Sequence, residues 1–370
     1  MRLRSGRFSV NEVAYRHWFS YPHSFPLMTD SSEEKTTANR ANTPALFPVV
    51  PGVWGRRDVF TNLYYVRAQE QPTTSWVLVD AGLPGSGSKV RHTAEYLFGA
   101  GNPPAAILLT HGHFDHVGAL PYLLKLWPNV TVYAHSLELP YLTGLSAYPP
   151  PDPTVGGGAM AAMSFLYPKA PLNLGSRVQP LPPDGSVPHL PGWRWLFTPG
   201  HTPGHVSFYR EQDRLLLAGD AFVTTKQESA IAVWQQRQEV NGPPAYFTPN
   251  WPEAHQSVTM LAELQPSVAA TGHGIPMRGE VLQHELSRLA QEFEKLAVPT
   301  QGRYVGRPAT ADATGVVYLP PAPERRVPLW AVGAGVALVA GLYWLRSRRP
   351  AASVSTYTGD ARAYRRPSVR

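Results

Sequence analysis

The chain has 370 residues, 43% of them hydrophobic, with 31 Gly and 39 Pro, a composition that supports one large or two smaller globular cores and excludes a collagen-like or wholly disordered polymer. Its net charge of +7 sits at the two ends, with four Arg against one Glu in residues 1–27 and seven Arg against one Asp in residues 346–370, so residues 28–345 carry −2. A body without surplus Lys and Arg excludes a phosphate-tracking nucleic-acid surface, and zero cysteines exclude disulfides, thiolate ligands and a cysteine nucleophile.

Residues 1–27 lack the apolar run of a secretory signal, and Met28 opens the polar tract TDSSEEKTTANRANTP. Residues 1–44 are therefore read as a disordered leader, of which residues 1–27 lie upstream of a true start at Met28. From Leu46, short apolar runs punctuated by Gly and Pro predict strands: LFPVVPGVW, NLYYVRA, SWVLVDAG, AAILLT and VTVYAH. Helices are predicted near 87–98 and 117–126. The second half repeats the scheme, with WRWLFTPG, HVSFYR, RLLLAGD and SVAATG as strands. One helix is predicted from about Pro252 to Leu264 and another from about Gly279 to Leu296. In the latter, Leu282, Leu286, Leu289, Phe293 and Leu296 fall on one apolar stripe suited to packing on a sheet. Two β-rich halves, each with its own helices, predict an α/β domain over 45–300 with two sheets face to face and helices outside. Between the halves, the Pro- and Gly-rich stretch over 140–175 reads as a long surface loop able to cover a substrate.

Residues 301–326 read as a Pro/Gly-rich linker. The next 19 residues, VPLWAVGAGVALVAGLYWL over 327–345, carry no charge and lie between Arg326 and Arg346. At ~1.5 Å per residue they span roughly 28 Å, near the ~30 Å of a bilayer core, and Trp330, Tyr343 and Trp344 stand near the ends. The expectation is one C-terminal transmembrane helix, a membrane-anchored single-pass protein, and a basic tail over 346–370. The missing export signal sets the large domain on the cytoplasmic side, whereas the Arg-rich tail pulls towards the opposite orientation.

The richest motif is ILLTHGHFDHVGAL over 107–120, with His111, His113, Asp115 and His116 directly after an apolar strand. Imidazoles at i and i+2 point the same way where the backbone stays extended, so His111 and His113 can reach one ion. Asp115 and His116, on the turn into the next helix, can face a second. Neutral imidazole and carboxylate suit zinc, and equally iron or manganese. One turn cannot surround two ions, and three further candidates stand just after apolar strands: His201 in FTPGHTPGH, Asp220 in LLLAGDAF and His273 in AATGHG.

In these motifs and their order the chain resembles the metallo-β-lactamase-fold hydrolase superfamily, in which a four-layer αββα sandwich holds one or two metals at the sheet edges. The resemblance covers about 46 to 297. It implies that His111, His113 and His201 bind a first metal, that Asp115, His116 and His273 bind a second, and that Asp220 bridges both. Two Zn²⁺ ions are the implied cofactors, with iron or manganese as alternatives, and a hydroxide held between them is the implied nucleophile. Asp115 is the candidate catalytic residue, orienting that water or passing on its proton. Asp80 corresponds to a position that buttresses the metal turn, and Thr110 and Thr202 are candidates for similar support. His205 is read as a support of the ligands or a substrate contact, and Lys226 as a contact for an anionic substrate. His135, His189, His255 and His284 read as structural or surface residues.

Asp220 stands where the true β-lactamases of the superfamily carry Cys or Ser, and His113 where flavo-diiron relatives carry Glu. Asp220 points to the glyoxalase II and lactonase branches, as TPGHTPGH does, and His113 argues against an oxygen-reducing role; the glutathione-contacting C-terminal region of glyoxalase II has no recognisable counterpart after His273. The expected function is hydrolysis of a small-molecule ester, thioester or lactone. The alternatives are a mononuclear-iron persulfide dioxygenase and a membrane-tethered binding protein with a non-catalytic metal site.

Overall fold

The computed structural model describes residues 45–68 and 75–322. Strands β1 (Leu46–Val50), β2 (Val53–Asp58), β3 (Thr61–Arg67), β4 (Trp76–Val79), β5 (Ala106–Leu108), β6 (Thr131–Ala134) and β7 (Val178–Pro180) form one sheet in that spatial order. Its β1–β4 pairs are antiparallel, and its β4–β7 pairs are parallel. Helices α1 (Gly87–Phe98), α2 (Phe114–Val117), α3 (Leu120–Leu126), α4 (Leu139–Leu142) and α5 (Ala159–Ala162) lie along this half of the chain. The second sheet holds β8 (Trp193–Phe197), β9 (Val206–Arg210), β10 (Leu215–Gly219), β11 (Val268–Thr271) and β12 (Met277–Arg278), in the order β12-β11-β10-β9-β8. With it go α6 (Ala230–Gln235), α7 (Trp251–Glu263), α8 (Gly279–Gln291) and α9 (Phe293–Leu296), and a separate hairpin of β13 (Thr310–Asp312) and β14 (Gly315–Tyr318) follows.

Strand periodicity sorts the apolar side chains into three layers of core. Tyr64, Val66, Val77 and Val79 of the first sheet meet Val206, Phe208, Leu215 and Leu217 of the second. Their strand neighbours Leu63, Tyr65, Trp76 and Leu78 point the other way, onto Val90 of α1 and Leu120, Leu123 and Leu124 of α3. On the far side, Leu216, Ala218 and Ala269 pack against Val258 and Leu261 of α7 and Leu282, Leu286 and Leu289 of α8. The layers are thus α, β, β, α, as expected. Each fully buried Leu, Val or Phe contributes about 1.5–3 kcal/mol, so the sheet ends carrying the site are held rigidly.

Several elements depart from the sequence reading. The run Leu46–Trp54 is a hairpin, because Gly52 takes φ 80° and reverses the chain between Val50 and Val53. The helix expected over 279–296 divides at Glu292 into α8 and α9, although Leu282, Leu286, Leu289 and Phe293 are all buried on one stripe. The 140–175 stretch is a surface loop anchored at points, with Tyr141, Tyr148, Asp152, Met160, Ala161 and Ser164 buried and Leu145, Phe165 and Leu166 exposed. Residues 301–322, read as linker, carry the β13–β14 hairpin and are seated on the domain. Ala309 N–H donates to Pro249 O at 3.0 Å, the Tyr304 hydroxyl to Pro150 O at 2.6 Å, and Arg303 N–H to the Asp152 carboxylate. The physical reason is Asp152, a buried carboxylate that needs donors and finds one in this segment. The leader over 1–44, the membrane span over 327–345 and the tail over 346–370 lie outside the described residues. Among the described residues, no helix is long and apolar enough to cross a membrane.

Candidate metal centre

The site forms where strands of both sheets end. β5 delivers His111 and an extended His113, which precedes α2, so Asp115 and His116 fall in the first turn of that helix. β8 leads to His201, β10 to Asp220 and β11 to His273. Three groups result, each with one ligand atom per residue within 4.8 Å of the others: His111 with His113 and His201; His111 with His116 and Asp220; Asp115 with His116 and His273. Asp220 touches both sides. Its Oδ2 lies 3.0 Å from His273 Nε2 and 3.5 Å from His201 Nε2, and its Oδ1 lies 3.7 Å from His116 Nε2. A Cβ on Gly272 would stand 1.9 Å from Asp220 Oδ1, so only glycine leaves room for that carboxylate.

Acceptors hold one nitrogen of His116, His273, His111 and His201, which turns the other nitrogen of each ring towards the centre. His116 Nδ1 donates to Asp80 Oδ2 at 2.9 Å. His273 Nδ1 donates to Phe60 O at 2.8 Å. Thr110 Oγ1 donates to Asp80 and so accepts from His111 Nδ1 at 3.1 Å. Thr248 Oγ1, committed to Pro244 O, accepts from His201 Nδ1 at 3.4 Å. His201 Nε2, left with its lone pair, lies 3.0 Å from His113 Nδ1.

Burial and charge divide the centre. Burial first, then neighbouring imidazoles, push His111, His113 and His201 below the usual histidine value, His113 to about 3. Burial also acts against protonated His116, but the carboxylates of Asp115, Asp220 and Asp80 outweigh it and raise that ring. His273 is raised against burial by Asp220 in the same way. Asp220 is held well below the usual carboxylate range because His273 and His116 overcome its burial, whereas burial raises Asp115.

Among the sequence candidates, Asp80 receives Thr110 N–H at 2.9 Å as well as His116, with its own backbone at φ 60°. Both ring nitrogens of His205 are engaged outside the ligand groups: its Nε2 accepts Asp220 N–H at 2.9 Å and its Nδ1 reaches Thr198 Oγ1 at 2.8 Å. Burial lowers it to about 4, which suits a neutral ring in that role. Lys226 is exposed. His135 and His255 stack on Phe197 and Phe293, and His284 is exposed.

Sequence reading missed Glu138, whose carboxylate gathers donors from both metal loops, and an aromatic wall. Phe247 and Tyr148 lie 4.5 and 4.8 Å from the His113 ring, Phe60 stacks on His273, and Tyr167 packs between Phe114 and Phe247. The signal for Glu138 was present, as a lone acid within the apolar stretch LELPYL. The wall comes from three distant segments and leaves no local signature.

The donors suit a divalent cation. His111 Nε2, His116 Nε2 and Asp220 Oδ1 are buried with no hydrogen-bond partner among the described residues, each at a desolvation cost of about 1–3 kcal/mol if left unmet. Nitrogen and carboxylate oxygen at this spacing are metal ligands by type. An αββα sandwich with such a centre at its strand ends defines a class. Residues 56–273 match the Metallo-beta-lactamase superfamily, and the chain belongs to it. It is similar to the probable metallo-hydrolase YflN of Bacillus subtilis, with 45% identity over 250 residues that cover 68% of this chain and 94% of YflN. A second Bacillus subtilis relative, the uncharacterized protein YobT, is 33% identical over 253 residues, 68% of this chain and 92% of YobT. A hydroxyacylglutathione hydrolase of Francisella tularensis is 31% identical over 115 residues, 31% of this chain and 32% of that protein.

Proposed function

We propose that the chain is a metal-dependent hydrolase of esters, thioesters or lactones. His111, His113 and His201 would hold one ion, and Asp115, His116 and His273 a second. Asp220 reaches both, and that single carboxylate facing two ligand groups carries the reading. Zinc suits the donor set, as iron or manganese would. When bound, such ions supply Lewis acidity towards the carbonyl and a water that loses its proton near neutral pH.

The protein's own groups do the rest. Asp115, with Oδ2 at 3.6 Å from His273 Nε2 and 3.8 Å from His116 Nε2, orients the attacking water and takes up its proton; burial, which raises this carboxyl, favours that uptake. Phe247, Tyr148 and Phe60 exclude bulk water and offer an apolar face to the acyl group. The name of YflN supports the hydrolase reading. The hydroxyacylglutathione hydrolase match supports a thioester over part of the chain only. A mononuclear-iron dioxygenase would use one ligand group of the three, and a non-catalytic binding site needs none of the proton-handling arrangement, so neither accounts for the whole set. Membrane anchoring through 327–345, with the domain cytoplasmic, belongs to the same proposal and rests on sequence alone.

The test is metal content of the full chain, followed by a screen of esters, thioesters and lactones. Asp220→Ala is expected to lower kcat/KM by about 10³-fold or more, ~4 kcal/mol of transition-state stabilisation. Unchanged turnover in that variant overturns the proposal.

A further inference from the structure

We infer that Glu138 is a positioning residue that sets the separation of the loop carrying His111 and His113 from the loop carrying His201, and thereby how tightly the first ion is held. The inference rests on the metallo-hydrolase reading. Glu138 ends a single 3-10 turn after β6 and is completely buried. A carboxylate has no proton to donate and accepts at about four lone-pair positions, and here four donors converge on it. Oε1 accepts from Thr202 Oγ1 and from Gly204 N–H, each at 2.8 Å. Oε2 accepts from Gly112 N–H at 2.9 Å and from the Tyr148 hydroxyl.

The identity of the donors gives the arrangement its meaning. Gly112 stands between His111 and His113, and Thr202 follows His201, so one side chain fastens both loops of the all-imidazole group. His113 Nδ1 and His201 Nε2, 3.0 Å apart, come from those two loops, which one backbone bond, Val206 N–H to Thr110 O at 2.9 Å, also joins at the strand end. Tyr148 adds the 140–175 segment to the same carboxylate while its ring lies against His113. A buried carboxylate without a cation is costly unless its lone pairs are met. Burial does push the Glu138 carboxyl upwards, with the bonds from Tyr148, Thr202, Gly204 and Gly112 opposing. An apolar residue would fill the space and leave four donors unpaired.

Glu138→Gln keeps the shape and replaces one acceptor oxygen by an amide that faces donors. In the full chain, Zn²⁺ titration against a chelator is expected to show the tighter equivalent weakened about 10–100-fold, the usual scale for removing a group that orients ligands. The visible absorption of Co²⁺ in that position shifts, while Co²⁺ bound by Asp115, His116 and His273 is unchanged. A lowered Tm with wild-type zinc affinity and cobalt spectrum overturns the inference, because Glu138 then supports only the fold. Should the Gln variant not fold, Tyr148→Phe and Thr202→Val each remove one donor and leave the carboxylate. Each is expected to weaken zinc several-fold, and wild-type affinity in both overturns the inference. A wild-type chain that takes up no zinc, iron or manganese removes the metallo-hydrolase reading and this inference together, whereas zinc binding unaffected by Glu138→Gln removes the inference alone.

Discussion

The histidines on the two sides of the centre behave oppositely. Around His113 and His201 the neighbours are other imidazoles, and burial plus mutual repulsion keep all three rings unprotonated. Around His116 and His273 the neighbours are Asp80, Asp115 and Asp220, and the carboxylates draw protons onto the rings. The supports differ as well. The imidazole side is fastened by neutral hydroxyls and by Glu138 acting through backbone, while the carboxylate side is oriented by Asp80 in direct contact with His116. The difference teaches that one side is prepared for a cation before it arrives, and that the other must give up protons to take one.

The largest effect expected from testing that contrast is at Asp80. Asp80→Asn keeps a residue tolerant of positive φ but removes one acceptor from a carboxylate serving Thr110 and His116. Zinc affinity on the carboxylate side is expected to fall about 10–100-fold, with a smaller loss on the imidazole side, where Asp80 acts only through Thr110. Chelator competition on the two equivalents measures both. Equal losses would erase the distinction.

How far this was readable in advance follows the same line. Elements stood out where apolar residues alternate under strong burial: β4, β5, β9, β10 and β11 lie within predicted runs, and β3 overruns its own by Thr61 alone. The three-residue β7, the two-residue β12 and the hairpin at 310–318 are too short, or too exposed, to leave a periodic trace. All seven candidate ligands were legible because His and Asp directly after an apolar strand are conspicuous, and the fold gathers them. Glu138 escaped because its role depends on donors at Gly112, Thr202 and Gly204, which sequence distance conceals. The aromatic wall escaped for the same reason. His205 shows the limit of proximity: four residues from His201, it accepts from the Asp220 backbone instead of joining a ligand group.

A second and more moderate effect is a split in pH dependence. For His111, His113 and His201 the folded pKa lies below the ordinary 6.5, and for His113 at about 3. Within that window the unfolded chain binds more protons than the folded one, so the metal-free protein loses stability as pH falls. For His116 and His273 the folded pKa is raised, so their contribution is complete below 6.5 and is lost as pH rises through the raised values. Zinc competes with those protons. Dialysis against zinc from about pH 5 to about pH 8 is therefore expected to load the imidazole side first and to add the second equivalent as pH rises. Parallel loading of both equivalents would break the comparison.

The smallest effect is expected at Lys226, put forward from sequence as a partner for an anionic substrate. The side chain is exposed, whereas its neighbours Thr225 and Gln227 are fully buried, so the backbone there turns the ammonium away from the interior. A cation in solvent is strongly screened and contributes little to a buried centre. The walls nearest the ligands are aromatic, which favours a neutral acyl group over a carboxylate or phosphate. Lys226→Ala should change stability by no more than about 0.5 kcal/mol, the range of an ordinary surface substitution, and kcat/KM by less than about twofold. Measured against an anionic and a neutral substrate of the same leaving group, a KM increase confined to the anionic one would restore Lys226 as a binding residue. It would also place an electrostatic contribution to recognition on the β10–α6 connection, outside both ligand groups.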